Sequence, residues 1–157
     1  MKLIVGETGL KSNWEANHLK IGHGKTRGGG IFLTHKSDLE ISNALFCANH
    51  VQMDGGGIYL WDCHRIVIQD CFFFLNFAKW GGAIYLEKCT NVTINHNRFI
   101  MNDARRDGGA ISLSNCENVT LGQNLFFLNL ALRSGSKIDL HNCRQIFIEE
   151  GVAKSSN

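Results

Sequence analysis

The chain has 157 residues, 44% of them apolar, with a net charge of +2 and no proline. That length and composition fit one domain with a core of its own. No apolar run approaches the roughly 18 residues of a membrane-spanning helix. The largest basic cluster is Arg105-Arg106, so no electrostatic footprint for nucleic acid is evident.

Residues 1–27 fit no simple pattern and are expected to form an irregular N-terminal coil or cap. Leu3-Ile4-Val5 reads as a short strand, Trp14-Glu15-Ala16-Asn17 as a variant corner, and His18 to Arg27 as a polar loop. The apolar run near Met1 is too short for a signal peptide. Two settings stay open: a protein kept inside the cell, or a domain excised from a secreted or surface protein. Gly22-His23-Gly24-Lys25-Thr26 ends like a phosphate loop, but Leu19 stands where the first glycine belongs and no helical pattern follows.

From Gly28 a unit repeats. Gly-Gly-Gly-Ile-Phe-Leu at Gly28 is followed by Phe46-Cys47-Ala48-Asn49, and Gly-Gly-Ala-Ile-Tyr-Leu at Gly81 by Phe99-Ile100-Met101-Asn102. Copies start at Gly28, Gly55, Gly81, Gly108 and Gly135, spaced 27, 26, 27 and 27 residues. They divide the chain into 28–54, 55–80, 81–107, 108–134 and 135–148, with a polar tail at 149–157. A sustained period in this range marks a solenoid. Within each copy, apolar residues alternate in three short runs. In the third copy the expected inward set is Ile84, Leu86, Cys89, Val92, Ile94, Asn97, Phe99 and Met101, with Leu75 and Leu128 as neighbours of Met101. Period-2 alternation inside a 27-residue period predicts three strands per coil.

Two columns of equivalent residues read as structural ladders. Asn49, Asn76, Asn102 and Asn129 close successive corners, where an amide can bond the copies above and below. Cys63, Cys89, Cys116 and Cys143 share one slot and are expected to be buried, reduced thiols. No Cys-x-x-Cys spacing occurs, so no zinc site is predicted. Asn91-Val92-Thr93 and Asn118-Val119-Thr120 match glycosylation sequons, but the repeat itself generates them.

Gly-Gly-Ala-Ile paired with Phe-x-x-Asn resembles the repeat of the chlamydial polymorphic outer-membrane proteins. More broadly, residues 28–148 are similar to right-handed parallel β-helices of the pectate-lyase type. The first resemblance implies a surface-exposed passenger domain that acts as an adhesin. The second implies enzymes with clustered carboxylates and Arg or Lys, often with calcium, on an outward face. The expected fold is therefore all-β, a right-handed single-stranded parallel β-helix with three strands per coil and about five coils of 26–27 residues.

Function is sought in the outward positions. Asp62, Glu87 and His141 are the catalytic candidates, but no two carboxylates occupy the same or adjacent outward slots. Glycosidase chemistry requires paired carboxylates roughly 5–9.5 Å apart, and calcium requires several oxygens. No metal or cofactor is expected. Phe32, Tyr59, Trp61 and Tyr85 form an aromatic stripe that could receive sugar rings, or serve only as a ladder stabilising the sheet. On the third strand Leu45, Phe72, Phe74, Ile100, Leu125 and Phe127 point outward if Phe46, Phe73, Phe99 and Phe126 point inward. Monomers rarely expose a contiguous apolar face, so another protein or a copy of the chain is expected to cover it, unless the register is shifted by one. The leading functional expectation is a non-enzymatic binding or scaffold domain, adhesin-like or oligomeric, with glycan as a further partner. The alternative is a polysaccharide lyase or glycoside hydrolase.

Overall fold

Short alternating runs of β-branched and aromatic residues, cut by glycine and Asx turns, extend the chain and return it beside its own previous coil. The computed structural model describes residues 26–149 together with the backbone of 2–4 and 20–21. In the 55–80 copy the strands are Ile58–Trp61, His64–Gln69, Phe72–Phe74 and Phe77–Trp80. The first three are the expected ones, and the fourth is a short addition before the next glycine. Each strand pairs in parallel with its equivalents in neighbouring coils, giving four sheets around one core. We call them the first to fourth sheets in coil order.

Like stacks on like. Ile84 lies between Ile58 and Ile111, and Phe99 between Phe73 and Phe126. The shorter 55–80 copy is accommodated in the fourth sheet, where both Lys79 N and Trp80 N donate to Met53 O and the register shifts between Ala104 and Asp107. At the N-terminal side, Lys2–Ile4 adds in parallel to the second sheet, and Lys20–Ile21 pairs antiparallel with Ile31 and Phe32. The first of these overlaps the strand expected at Leu3-Ile4-Val5. The Trp14–Asn17 corner, the Gly22–Lys25 stretch and the tail beyond Glu149 lie outside the described residues.

Each full coil turns through left-handed residues at regular places. In the 55–80 copy these are Gly55, Asp62, Arg65, Asp70 and Leu75, with φ between 53° and 64°. The corner after the third strand corrects one expectation. Alternation predicts Leu75, Met101 and Leu128 inward, whereas all three are exposed. Their positive φ breaks the alternation, so the following Asn76, Asn102 and Asn129 turn into the core instead. Leu140 lies in register on Leu113 but is exposed, because no described coil stacks on it.

The core is a set of columns. Phe46, Phe73, Phe99 and Phe126 stack with centroids 4.8, 4.8 and 5.0 Å apart and near-parallel rings. Such offset stacks add to the stabilisation from burial alone. The inward amides satisfy the corners. Asn102 Nδ2 donates to Phe73 O and to Asn129 Oδ1, while Asn102 Oδ1 accepts from the backbone and side chain of Asn76. A second amide column runs beside it, with Asn97 Oδ1 accepting from Cys71 N and Asn97 Nδ2 donating to Ile68 O and Asn124 Oδ1.

The paired glycines act differently. Gly55, Gly81 and Gly108 occupy the left-handed region. Gly82 is required by proximity, since a Cβ there would meet Gly109 O at 2.2 Å and Asp103 O at 2.7 Å. Asn102→Ala orphans several buried groups and is expected to cost about 3 kcal/mol or more in urea unfolding, at about 1–3 kcal/mol per orphan. Gly82→Ala should be similarly disruptive. Gly122→Ala, whose Cβ would first meet only the Glu149 carboxylate at 3.3 Å, should leave the unfolding midpoint nearly unchanged.

Candidate functional site

The outer side of the first sheet gathers the aromatic stripe. Phe32, Tyr59 and Tyr85 lie in register and stack face to face at 5.2 and 5.7 Å, with interplanar angles of 9° and 2°. Tyr59 is only 4% exposed. Its hydroxyl donates to Glu87 Oε2 at 3.0 Å, and the Arg27 guanidinium lies 5.4 Å above its ring. Burial raises both tyrosine hydroxyls above their ordinary values, with the Glu87 charge adding to it. The stacked faces are therefore occupied by one another. Trp61 stands apart, half-buried, with His35 edge-on at 4.6 Å and the Lys88 ammonium 5.9 Å from its ring.

The residue before each leading glycine forms a further column, not anticipated from the sequence. Arg27 Nε donates to Asp54 Oδ2 at 2.6 Å, and Asp54 Oδ1 is buried without a partner. The ion pair holds Arg27 more firmly charged, yet burial outweighs it at Asp54 and raises that carboxyl above its usual range. A buried acid raised in this way favours the folded state when protonated.

The three catalytic candidates fall in separate contacts. Glu87 is held by Tyr59. Asp62 lies between two histidines, with His35 Nε2 at 3.5 Å and His64 Nε2 at 3.7 Å, while His64 Nδ1 is 2.8 Å from Thr90 Oγ1. His141 Nε2 is 3.2 Å from Asn142 Nδ2, and neighbouring Asp139 accepts from Ser134. Among the described residues, no group of three or more His, Cys, Asp or Glu is placed to hold a metal ion. Of the two histidines beside Asp62, His35 shares its slot one coil earlier and was open to anticipation, whereas His64 opens the next strand of the same coil and is brought back by the turn at Asp62.

Cys63, Cys89 and Cys116 are buried and Cys143 is half-buried, all as free thiols. Each thiol donates to a carbonyl of the preceding coil, as Cys116 Sγ does to Leu86 O at 3.5 Å. Hydrogen bonding with Cys116 and Cys63, together with burial, raises the Cys89 thiol, and the same bonds lower its partners. Burial, with the Asp70 charge adding to it, raises Cys71 to about 11. Desolvation opposes ionisation at every member, and at Cys63 and Cys116 the hydrogen bond with Cys89 outweighs it.

The outer side of the third sheet is different in kind. Phe73 is 0% exposed, which fixes the register with the phenylalanine column inward. Leu45, Leu125 and Phe127 are then 60%, 50% and 54% exposed, and Phe72, Phe74 and Ile100 are half-buried beside them. Exposed Leu75, Met101 and Leu128 continue this surface along the corner. One charge interrupts it: Arg98, exposed between Phe72 and Leu125.

Two measurements check this description. Under a thiol-specific reagent, native protein should modify exposed Cys47 first and Cys143 more slowly. Cys63, Cys71, Cys89 and Cys116 should react only on unfolding, and rapid reaction of four or more thiols would contradict the buried column. For Asp54, the stability of wild type relative to Asp54→Asn should be greatest below the ordinary carboxylate value of 3.8. It should fall as pH rises through the range above that value, where the unfolded state has ionised and the folded state has not. A flat difference across that range would contradict the raised carboxyl.

The profile of the right-handed β-helix region family matches residues 11–145. Neither the curated proteins nor the solved structures yield a match to the chain. With parallel coils, four sheets and a profile match over most of its length, the chain belongs to the right-handed β-helix family.

Proposed function

We propose that the chain is a non-enzymatic binding module that docks a protein partner on the outer side of its third sheet. The observation that carries this reading is the apolar surface of Leu45, Phe72, Phe74, Ile100, Leu125 and Phe127, broken only by Arg98. Soluble monomers seldom leave such a surface uncovered. The adjoining corner adds weight. Leu75, Met101 and Leu128 adopt left-handed backbone at φ of 54°, 52° and 52° while pointing to solvent. For residues other than Gly, Asn or Asp that conformation costs roughly 1–2 kcal/mol. Retaining apolar side chains there, outside the core, fits a surface used for contact.

The likeness of Gly-Gly-Ala-Ile…Phe-x-x-Asn to the chlamydial repeat, whose passenger domains act as adhesins, points the same way. The first-sheet aromatic stripe supports a glycan site less well, since its rings stack on one another and Tyr59 is closed to solvent. The decisive test is selection of a phage-displayed random peptide library on the immobilised chain. Wild type should enrich binders, and the double variant Leu125→Asp, Phe127→Asp should retain none of them while keeping a wild-type circular dichroism spectrum. Failure to enrich, or binders indifferent to both substitutions, would overturn the reading.

A further inference from the structure

We infer that the partner sets a carboxylate against Arg98 at the centre of the third-sheet face, and that this partner is not a second copy of the chain. The inference rests on the docking reading and sharpens it. Arg98 occupies a ladder position whose neighbours are Phe72 below and Leu125 above. Its guanidinium has no ion pair among the described residues. Arginine is, with tryptophan and tyrosine, one of the residue types enriched at the energetic centres of interfaces. Its planar fork matches a carboxylate with two parallel hydrogen bonds.

The surroundings extend the same charge. Across the corner, on and just after the fourth-sheet strands, stand Lys79, Arg105, Arg106 and Arg133, also without ion pairs among the described residues. Lys79 and Arg106 lie over the Trp80 ring at 4.1 and 5.4 Å, and Arg105 over Phe77 at 5.1 Å. Attraction of a cation to a ring is weak at an exposed site and leaves the charge able to take an anion. Asp103 and Asp107 are the only carboxylates on that sheet's strands, and Asp107 accepts from the Ser134 hydroxyl. On its fourth-sheet side the apolar face is thus bordered by an excess of positive charge, four cations against Asp103 and Asp107, and a protein surface that is apolar with an acidic rim on that side complements it.

Other occupants fit less well. The outward residues of the third sheet include no carboxylate. A two-fold pairing of two such faces would therefore bury Arg98 against apolar or cationic groups. A bilayer would take the Arg98 guanidinium into hydrocarbon. Stacking of nucleic-acid bases requires open ring faces, and on the basic fourth-sheet side cations already lie over Phe77 and Trp80.

The same peptide selection separates this inference from the reading it rests on. Wild-type binders should combine Phe, Leu or Trp with Asp or Glu. Their affinity, measured by fluorescence anisotropy on the purified chain, should fall about tenfold or more for Arg98→Glu and less for Arg98→Lys. A fresh selection on Arg98→Glu should enrich Lys and Arg in place of the acids. Because Arg98 is exposed, both variants should keep the wild-type melting curve; if Arg98→Glu does not, Arg98→Gln replaces it. Acid-free binders that bind Arg98→Glu as well as wild type would overturn the inference and leave the docking reading standing. A concentration-dependent dimer in light scattering, abolished by Leu125→Asp with Phe127→Asp, would overturn the exclusion of a second copy. No binders at all would remove both.

Discussion

The backbone hydrogen bonds that tie each coil to the next hold every other feature in place. Ile58 N donates to Ala83 O in the coil above, and Thr90 N to Cys63 O in the coil below, and this exchange repeats around the perimeter. Parallel ladders set one spacing, about 4.8 Å, for all four sheets at once. A residue must therefore lie on its equivalent, and a slip by one would turn the core columns to solvent. The 26-residue copy shows where tolerance lies. Its missing residue is absorbed at the irregular fourth sheet, beside the Met53 carbonyl that accepts two bonds, and the phenylalanine column passes undisturbed.

A ladder of this kind requires sharp corners, and corners leave polar backbone groups inside. The chain meets that requirement with left-handed residues and inward amides together. At the third-strand corner the left-handed residue rotates the following asparagine inward, where its amide bonds the carbonyl of the preceding coil and the asparagine of the next. Neither part serves without the other. An alternating strand would have buried Leu75 and exposed Asn76, leaving the corner carbonyls without donors.

With the interior given over to columns, the faces can differ. The first sheet closes its outer surface by stacking Phe32, Tyr59 and Tyr85 and by pairing Arg27 with Asp54. The third sheet leaves its outer surface open, apolar, and centred on one guanidinium without an ion pair among the described residues. That contrast, between a surface satisfied within the chain and one that is not, is what favours docking on the third sheet.

The 26–27-residue period, the short strands, the inward Ile, Leu, Cys and Phe slots, the asparagine column and the outward apolar third strand were all legible from residue order. A repeated unit reports which residues share a slot, and parallel stacking makes slot-mates neighbours. Contacts between different slots were not legible. The closure of Tyr59 by Glu87, the approach of His64 to Asp62, and the outward turn of Leu75, Met101 and Leu128 all depend on corner angles. Those angles are set by left-handed residues that include leucine, methionine and arginine, types whose identity does not announce a positive φ. Residue order sets the columns, while the way the faces meet is set by the folded corner, because only there is one column brought against the next.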